Sequence, residues 1–193
     1  MISDDAIKKA WFGEHKATLT KQGELTVLDW KKPASNIYSI RFIFDGYKVY
    51  ISGDIGFAVF WLTWIAEINS FANLDAGYFA SKLKAFDGEA NVIDTKLACE
   101  QFDSWLNEEN NPICDYFNDK DKEEIAEIKI KLKGCSGKSE LQEMLFCHSK
   151  LLHSIDEDYY CSLASIGEVI HPRIRAYLIV LKMASEQLKA GAA

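Results

Sequence analysis

The stretch from residue 37 to 64 limits the possible folds more than any other. It reads Ile-Tyr-Ser-Ile-Arg-Phe-Ile-Phe-Asp-Gly-Tyr-Lys-Val-Tyr-Ile-Ser-Gly-Asp-Ile-Gly-Phe-Ala-Val-Phe-Trp-Leu-Thr-Trp. Apolar and polar residues alternate on both sides of Asp45-Gly46, a two-residue hairpin signal in which glycine takes the positive φ that such turns need. Pairing outward from that turn sets Phe44 opposite Tyr47, Phe42 opposite Val49 and Ile40 opposite Ile51. With Tyr38 these residues form one apolar face, while Ser39, Arg41, Ile43, Lys48, Tyr50 and Ser52 form a mostly polar one. A one-residue slip would expose the entire apolar set, so the faces are well determined.

Flanking segments extend the pattern. Ser3 caps a first helix expected to run to about Thr20, and Glu24 to Lys31 alternates as a strand. Ser52-Gly53-Asp54-Ile55-Gly56 is a tight break, and Phe57 to Trp64 reads as a fourth strand, covered on both sides. Beyond residue 66 the period turns helical. Asp75 is expected to cap a helix bearing Phe79, Leu83 and Phe86. Asp94 starts another, and Asp121 with Glu124, then Ser139 with Gln142, have capping-box spacing. Pro172 suits the first turn of a final helix with the stripe Ile174, Tyr177, Leu178, Leu181, Ala184 and Leu188. The expected fold is α+β: an N-terminal helix, a four-stranded antiparallel meander, then a mostly helical C-terminal half packed on the sheet. Residues 1–107 form the sheet domain and 108–193 a helical region of the same globular unit, with a soft boundary at 107–120.

Composition narrows the function classes. The chain has 193 residues, 48% of them apolar, and a net charge of −7. It is long enough to bury a real core, and its overall field does not attract phosphate backbones. Only three arginines occur (Arg41, Arg173, Arg175), so direct nucleic-acid binding is not expected. The first residues lack the basic and apolar regions of a secretory signal, and the apolar run Ile55 to Ala66 falls short of the roughly 20 residues that span a bilayer, so a cytoplasmic, membrane-free protein is expected. Five widely spaced cysteines read as reduced thiols rather than a disulfide framework.

Charge is concentrated in one place. Between Glu100 and Glu127 ten acids face only Lys120 and Lys122, a local −8 against −7 for the whole chain. Such a block presents Glu108, Glu109, Asp119, Asp121, Glu123 and Glu124 to a basic partner groove, or else it is a solvated helix start whose acids complement the macrodipole. Other constellations are weaker. Asp45 and Asp54 sit at opposite ends of a strand, more than ~20 Å apart at about 3.3 Å per residue, and read as turn residues. His148 and His153, five apart, point about 140° away from each other on a helix, so no zinc site is expected, nor any other cofactor. No Walker loop, nucleophile elbow, zinc-protease helix or dinucleotide fingerprint occurs. Trp61 and Trp64 are three apart and point to opposite strand faces, which makes one of them a candidate interface anchor and leaves room for a homodimer.

Phe44-Asp45-Gly46, the run Val49-Tyr50-Ile51-Ser52-Gly53-Asp54-Ile55-Gly56-Phe57-Ala58-Val59-Phe60 and Gly77-Tyr78-Phe79-Ala80-Ser81-Lys82 together resemble a group of bacteriophage and prophage accessory proteins. The similarity covers roughly residues 10–107 and carries no catalytic residues. It implies a mobile-element setting, in which inhibitors of host enzymes and defence nucleases are common. The leading expectation is a non-enzymatic phage-type inhibitor, anti-CRISPR-like, that binds a host protein (a nucleic-acid-binding nuclease, for instance) through an acidic surface in the bacterial cytoplasm. The alternative is a nucleotide-signal sponge with a pocket between sheet and helices around Arg41, Tyr50 and Tyr78. A third reading is a thiol hydrolase using Cys147 or Cys161 with His171.

Overall fold

The computed structural model describes residues 2–107 and 117–191. The described residues divide into two compact units, one of residues 2–90 with 170–191 and the other of residues 91–169. The soft boundary expected at 107–120 therefore falls inside the second of these.

The first unit holds a six-stranded antiparallel sheet in sequence order, two strands more than expected. Helix α1 (Asp4–Phe12) begins where expected, with Ser3 Oγ accepting the Ala6 N–H at 3.2 Å. It stops at Gly13 rather than running on to Thr20. Residues Lys16–Gln22 instead form β1, because Thr18 and Thr20 favour a pleated surface and β2 (Leu25–Lys31) offers a complete ladder beside them. The turn between these strands is Gly23-Glu24, with Gly23 at φ 64°.

Strands β3 (Ile40–Asp45) and β4 (Lys48–Gly53) form the expected hairpin, but its register differs by two residues. Asp45 pairs with Lys48, Phe44 with Val49 and Phe42 with Ile51, and Gly46-Tyr47 is the turn, Gly46 taking φ 56°. Both tight hairpins thus put glycine first in the turn. A displacement by two returns every strand side chain to its own face, so Ile40, Phe42, Phe44, Val49 and Ile51 are all buried as the alternation requires. Tyr47 is the exception: it leaves the apolar face and becomes an exposed turn residue.

Strand β5 covers only Ala58–Trp61, the first half of the expected Phe57–Trp64 strand. A single 3₁₀ turn, Ile68–Phe71, and helix α2 (Ala76–Ser81) follow. Asp75 caps α2 through the N–H groups of Gly77 and Tyr78, but the helix does not reach Gly88. Leu83–Phe86 becomes β6 and pairs with β5 across a bulge at Val59/Phe60. The helical spacing of Phe79, Leu83 and Phe86 is outweighed by the open edge of β5, which needs a partner.

The last helix, α8 (Pro172–Gly191), covers this sheet. Its predicted stripe is buried from Ile174 to Ala184, and Ala176, Ile179 and Val180 are buried too, so most of its circumference lies in the core. That core joins Trp30, Phe42, Phe60, Phe71, Phe79 and Tyr177. Each of the phenylalanines contributes about 1.5–3 kcal/mol by its burial.

An arginine ties the glycine-rich break to α8. Arg173 Nη1 donates to Asp87 Oδ1 (2.7 Å) and to the Ile55 carbonyl (3.1 Å), Nη2 donates to the Asp87 carbonyl (3.2 Å), and the guanidinium lies 4.5 Å above the Phe86 ring. Gly56 has φ 105°, and a Cβ there would meet Arg173 Nη1 at 2.2 Å. Asp54 accepts the Tyr38 N–H at 2.7 Å, holding a left-handed non-glycine residue (φ 55°) in place. The expected turn role of Asp54 is thus a specific anchor.

The second unit is helical with its own core of Ala98, Phe102, Trp105, Ile128, Leu132, Leu145, Leu152 and Leu163. Of the helices after residue 90, α8 is the one whose side chains belong to the core of the sheet unit, which narrows the expectation that the whole C-terminal half packs there. Strands β7 (Asn91–Ile93) and β8 (Glu168–Ile170) pair with one another. Between them lie α3 (Thr95–Leu106), capped by Asp94, α4 (Asp119–Gly134), α5 (Lys138–Cys147), α6 (Ser149–Ile155) and α7 (Tyr159–Leu163). The capping box of α4 is Asn118 with Asp121, three residues earlier than expected. The helix expected from Ser139 to Ile155 starts instead after Gly137 and breaks at His148 into α5 and α6.

Candidate functional site

Among the described residues, part of the acidic block is taken up in local pairs. Helix α4 has its five acids (Asp119, Asp121, Glu123, Glu124, Glu127) toward its N-terminus and three of its five lysines (Lys129, Lys131, Lys133) toward its C-terminus, so the helix is neutral overall and follows its macrodipole. Asp119 pairs with Lys122 and Glu127 with Lys131, while Asp103 on α3 pairs with Lys129. Asp121 Oδ2 accepts the Asn118 N–H. Glu123 is exposed. Glu124 turns toward the core, where its Oε1 accepts the Nδ1–H of buried His148 at 3.0 Å. Glu108 and Glu109 lie outside the described residues.

His148 is fully engaged. Lys131 Nζ donates to Nε2 at 3.2 Å, so neither ring nitrogen is left to take a proton from a substrate. A cavity of about 310 Å³ lies beside it, lined by Lys131, Cys135, Glu140, Met144 and Cys147. The Cys135 thiol donates to the Gly137 carbonyl, and burial pushes its pKa up, the reverse of an activated nucleophile. Cys147 and Cys161 are exposed. His171, the expected base of a thiol hydrolase, accepts the Arg173 N–H on Nδ1 at 3.1 Å. Among the described residues no three His, Cys, Asp or Glu side chains are grouped as metal ligands.

The residues of the alternative pocket do not converge between sheet and helices. Arg41 and Tyr50 alternate with the core residues of β3 and β4 and so stand on the opposite sheet face. Arg41 is held by Asp29 in a two-pronged ion pair of 2.7 and 3.1 Å. Tyr78 belongs to α2, whose Phe79 stacks on Phe60 from the core side at 4.1 Å.

A different set of residues stands out at one end of the sheet. The segment after β5 folds back over the β3–β4 turn: Leu62 N–H donates to the Tyr47 carbonyl (2.8 Å) and Ala66 N–H to the Gly46 carbonyl (2.7 Å). The ladder sets Trp61 opposite Lys48, whose ammonium lies 5.4 Å from the indole centre. Thr63 Oγ1 lies 3.4 Å from the Tyr78 phenol, the Tyr78 ring stacks on Trp64, and Lys82 sits 4.4 Å over that same ring. Thr63, and then Lys82, hold the Tyr78 phenol below its usual pKa.

Two exposed groups result: Trp61 with Lys48 on the outer sheet face, and Tyr78 with Lys82 on the side of α2, while Tyr47 and Ile65 stand exposed at the strapped turn. Beneath Tyr78, Trp64 packs on Phe71. Exposed tyrosine and tryptophan on a rigid base are the residue types enriched at interface centres. The Trp61/Trp64 spacing pointed to one of these residues. Tyr47 was hidden by the expected hairpin centre, and Ile65 by the expected continuation of β5 to Trp64.

No protein-family model, curated protein or solved structure matches the chain. Among the described residues no helix is long and apolar enough to cross a membrane.

Proposed function

We propose that the chain is a binding protein without catalytic activity of its own, and that it inhibits a host protein by occupying it. The observation that carries this reading is the exposure of Tyr47 and Trp61 at the strapped, hydrogen-bonded end of the sheet. The resemblance to phage and prophage accessory proteins supports the setting, in which a host defence enzyme is a natural target. The engaged state of His148 and the raised pKa of Cys135 argue against a thiol- or imidazole-based reaction at those groups. The contact is aromatic at its centre, and the acids of α4 play the lesser part because their own lysines already oppose them.

Immobilised protein, exposed to lysate of the host at low and high salt, tests this. Capture should persist in 0.5 M salt, fall at least about tenfold in Tyr47→Ala/Trp61→Ala, and stay unchanged in Asp119→Lys/Glu123→Lys. The opposite pattern, loss on acid reversal and in salt with the aromatic variant intact, would replace this surface with the acidic one. No captured protein under any condition would remove the reading.

A further inference from the structure

The outer edge of β1 offers a second, independent surface. The Ala17 N–H donates to Gln187 Oε1 (3.1 Å) and Gln187 Nε2 donates to the His15 carbonyl (3.0 Å), so the side-chain amide of α8 pairs with the start of this edge as a neighbouring strand would. Ala17 therefore directs its N–H away from β2. Because these directions alternate along a strand, Leu19 and Lys21 do the same. The turn agrees: Gln22 and Leu25 flank a two-residue turn, which makes them a bonded pair and assigns the even-numbered residues to β2. Among the described residues the free edge is thus Thr18–Gln22, closed at one end by Gln187 and at the other by the turn at Gly23. All five residues are exposed, Leu19 to 40%.

We infer that this free edge pairs antiparallel with the same edge of a second copy, about a two-fold axis at Thr20. A five-residue segment bounded at both ends can pair fully with itself only about its midpoint. That register sets Thr20 opposite Thr20, Leu19 opposite Lys21 and Thr18 opposite Gln22 of the second copy. It uses the outward N–H and C=O of Leu19 and Lys21, and no like charges face each other. The Lys21 stem covers Leu19 while its ammonium stays in water. Threonine pairs are favourable cross-strand neighbours. Gln187 limits the pairing to one length, which guards against longer strand addition.

Thr20 occupies a non-hydrogen-bonded position, where opposed Cα atoms are about 4.5 Å apart and a disulfide fits. Under mild oxidation Thr20→Cys should cross-link into a covalent dimer at least about tenfold faster than Thr18→Cys, with the wild-type chain as baseline for its native thiols. Sedimentation of the wild type should move from the 21.9 kDa monomer toward a dimer as concentration rises. Lys21→Pro removes one outward N–H and leaves the β2 ladder in place, so it should stay monomeric with an unchanged circular-dichroism spectrum. A wild type that remains monomeric at every concentration, or equal cross-linking from positions 18 and 20, overturns the inference.

Discussion

His15 has its Nε2–H on the Ile37 carbonyl at 3.1 Å, while its Nδ1 is buried with no partner among the described residues. Burial lowers its pKa, with Lys32 adding to the shift and the Ile37 carbonyl opposing it. His171 is also lowered, by burial first and then by the Arg173 charge, against a smaller opposing effect of Asp87. Both belong to the sheet unit, and their lowered pKa favours the neutral imidazole in the fold. The unfolded chain, with ordinary imidazoles near 6.5, binds protons first as pH drops. Their contribution to stability is therefore whole above about pH 6.5 and is lost as pH falls toward the depressed folded values. Thermal melts should show the melting temperature dropping between pH 7 and pH 5, with a flatter profile in His15→Gln/His171→Gln. An identical slope in that variant would assign the acid sensitivity to other groups. Single residues also show where sequence reading stops. Gly53-Asp54-Ile55-Gly56 is legible as a tight break, but the reason for Gly56 is the side chain of Arg173, more than a hundred residues away, and no local pattern announces it.

Elements divide by whether their signal is local. The inward set of β3 and β4 is legible because a period of two fixes faces even when the turn is misplaced by a residue at each side. Strands β1 and β6 are not legible as strands: each follows a helix, and each is decided by the ladder beside it. Acid-rich α4 shows its charge openly, yet the turn of Glu124 toward His148 depends on a side chain 24 residues away. The same helix gives a direct check on its start. Asn118 Oδ1 accepts the Asp121 N–H and Asp121 Oδ2 accepts the Asn118 N–H. Asn118→Ala should destabilise the helical unit by about 1 kcal/mol in urea titrations, while Asn118→Ser should restore most of that. No difference between these two variants would mean that the reciprocal cap contributes nothing.

At the scale of the molecule, each unit brings its own chain ends together. In the sheet unit His171 N–H donates to the Ala90 carbonyl at 2.9 Å, so the two points where the chain leaves and returns are neighbours. In the helical unit Asp94 N–H donates to the Gly167 carbonyl at 2.7 Å, and Asn91 Nδ2 donates to Glu168 Oε1 at 2.7 Å. A unit entered and left at one point has the covalent form of an insertion. Replacing residues 92–168 with a short glycine-serine link should leave the sheet unit folded, with a single cooperative melt and the fluorescence of buried Trp30 retained. A molten, dye-binding product would show that the sheet unit needs the helical one.

The place of α8 in the core has a consequence for synthesis. The sheet leaves the ribosome early, but the helix that covers it is made only after the whole inserted unit. Until then the core residues Phe42 and Phe60 lack the cover of α8, and the nascent protein carries an incompletely covered apolar sheet for the time taken to translate about eighty residues. A chain cut short anywhere between the two would keep its sheet without the helix that covers it, and would expose that apolar face to aggregation.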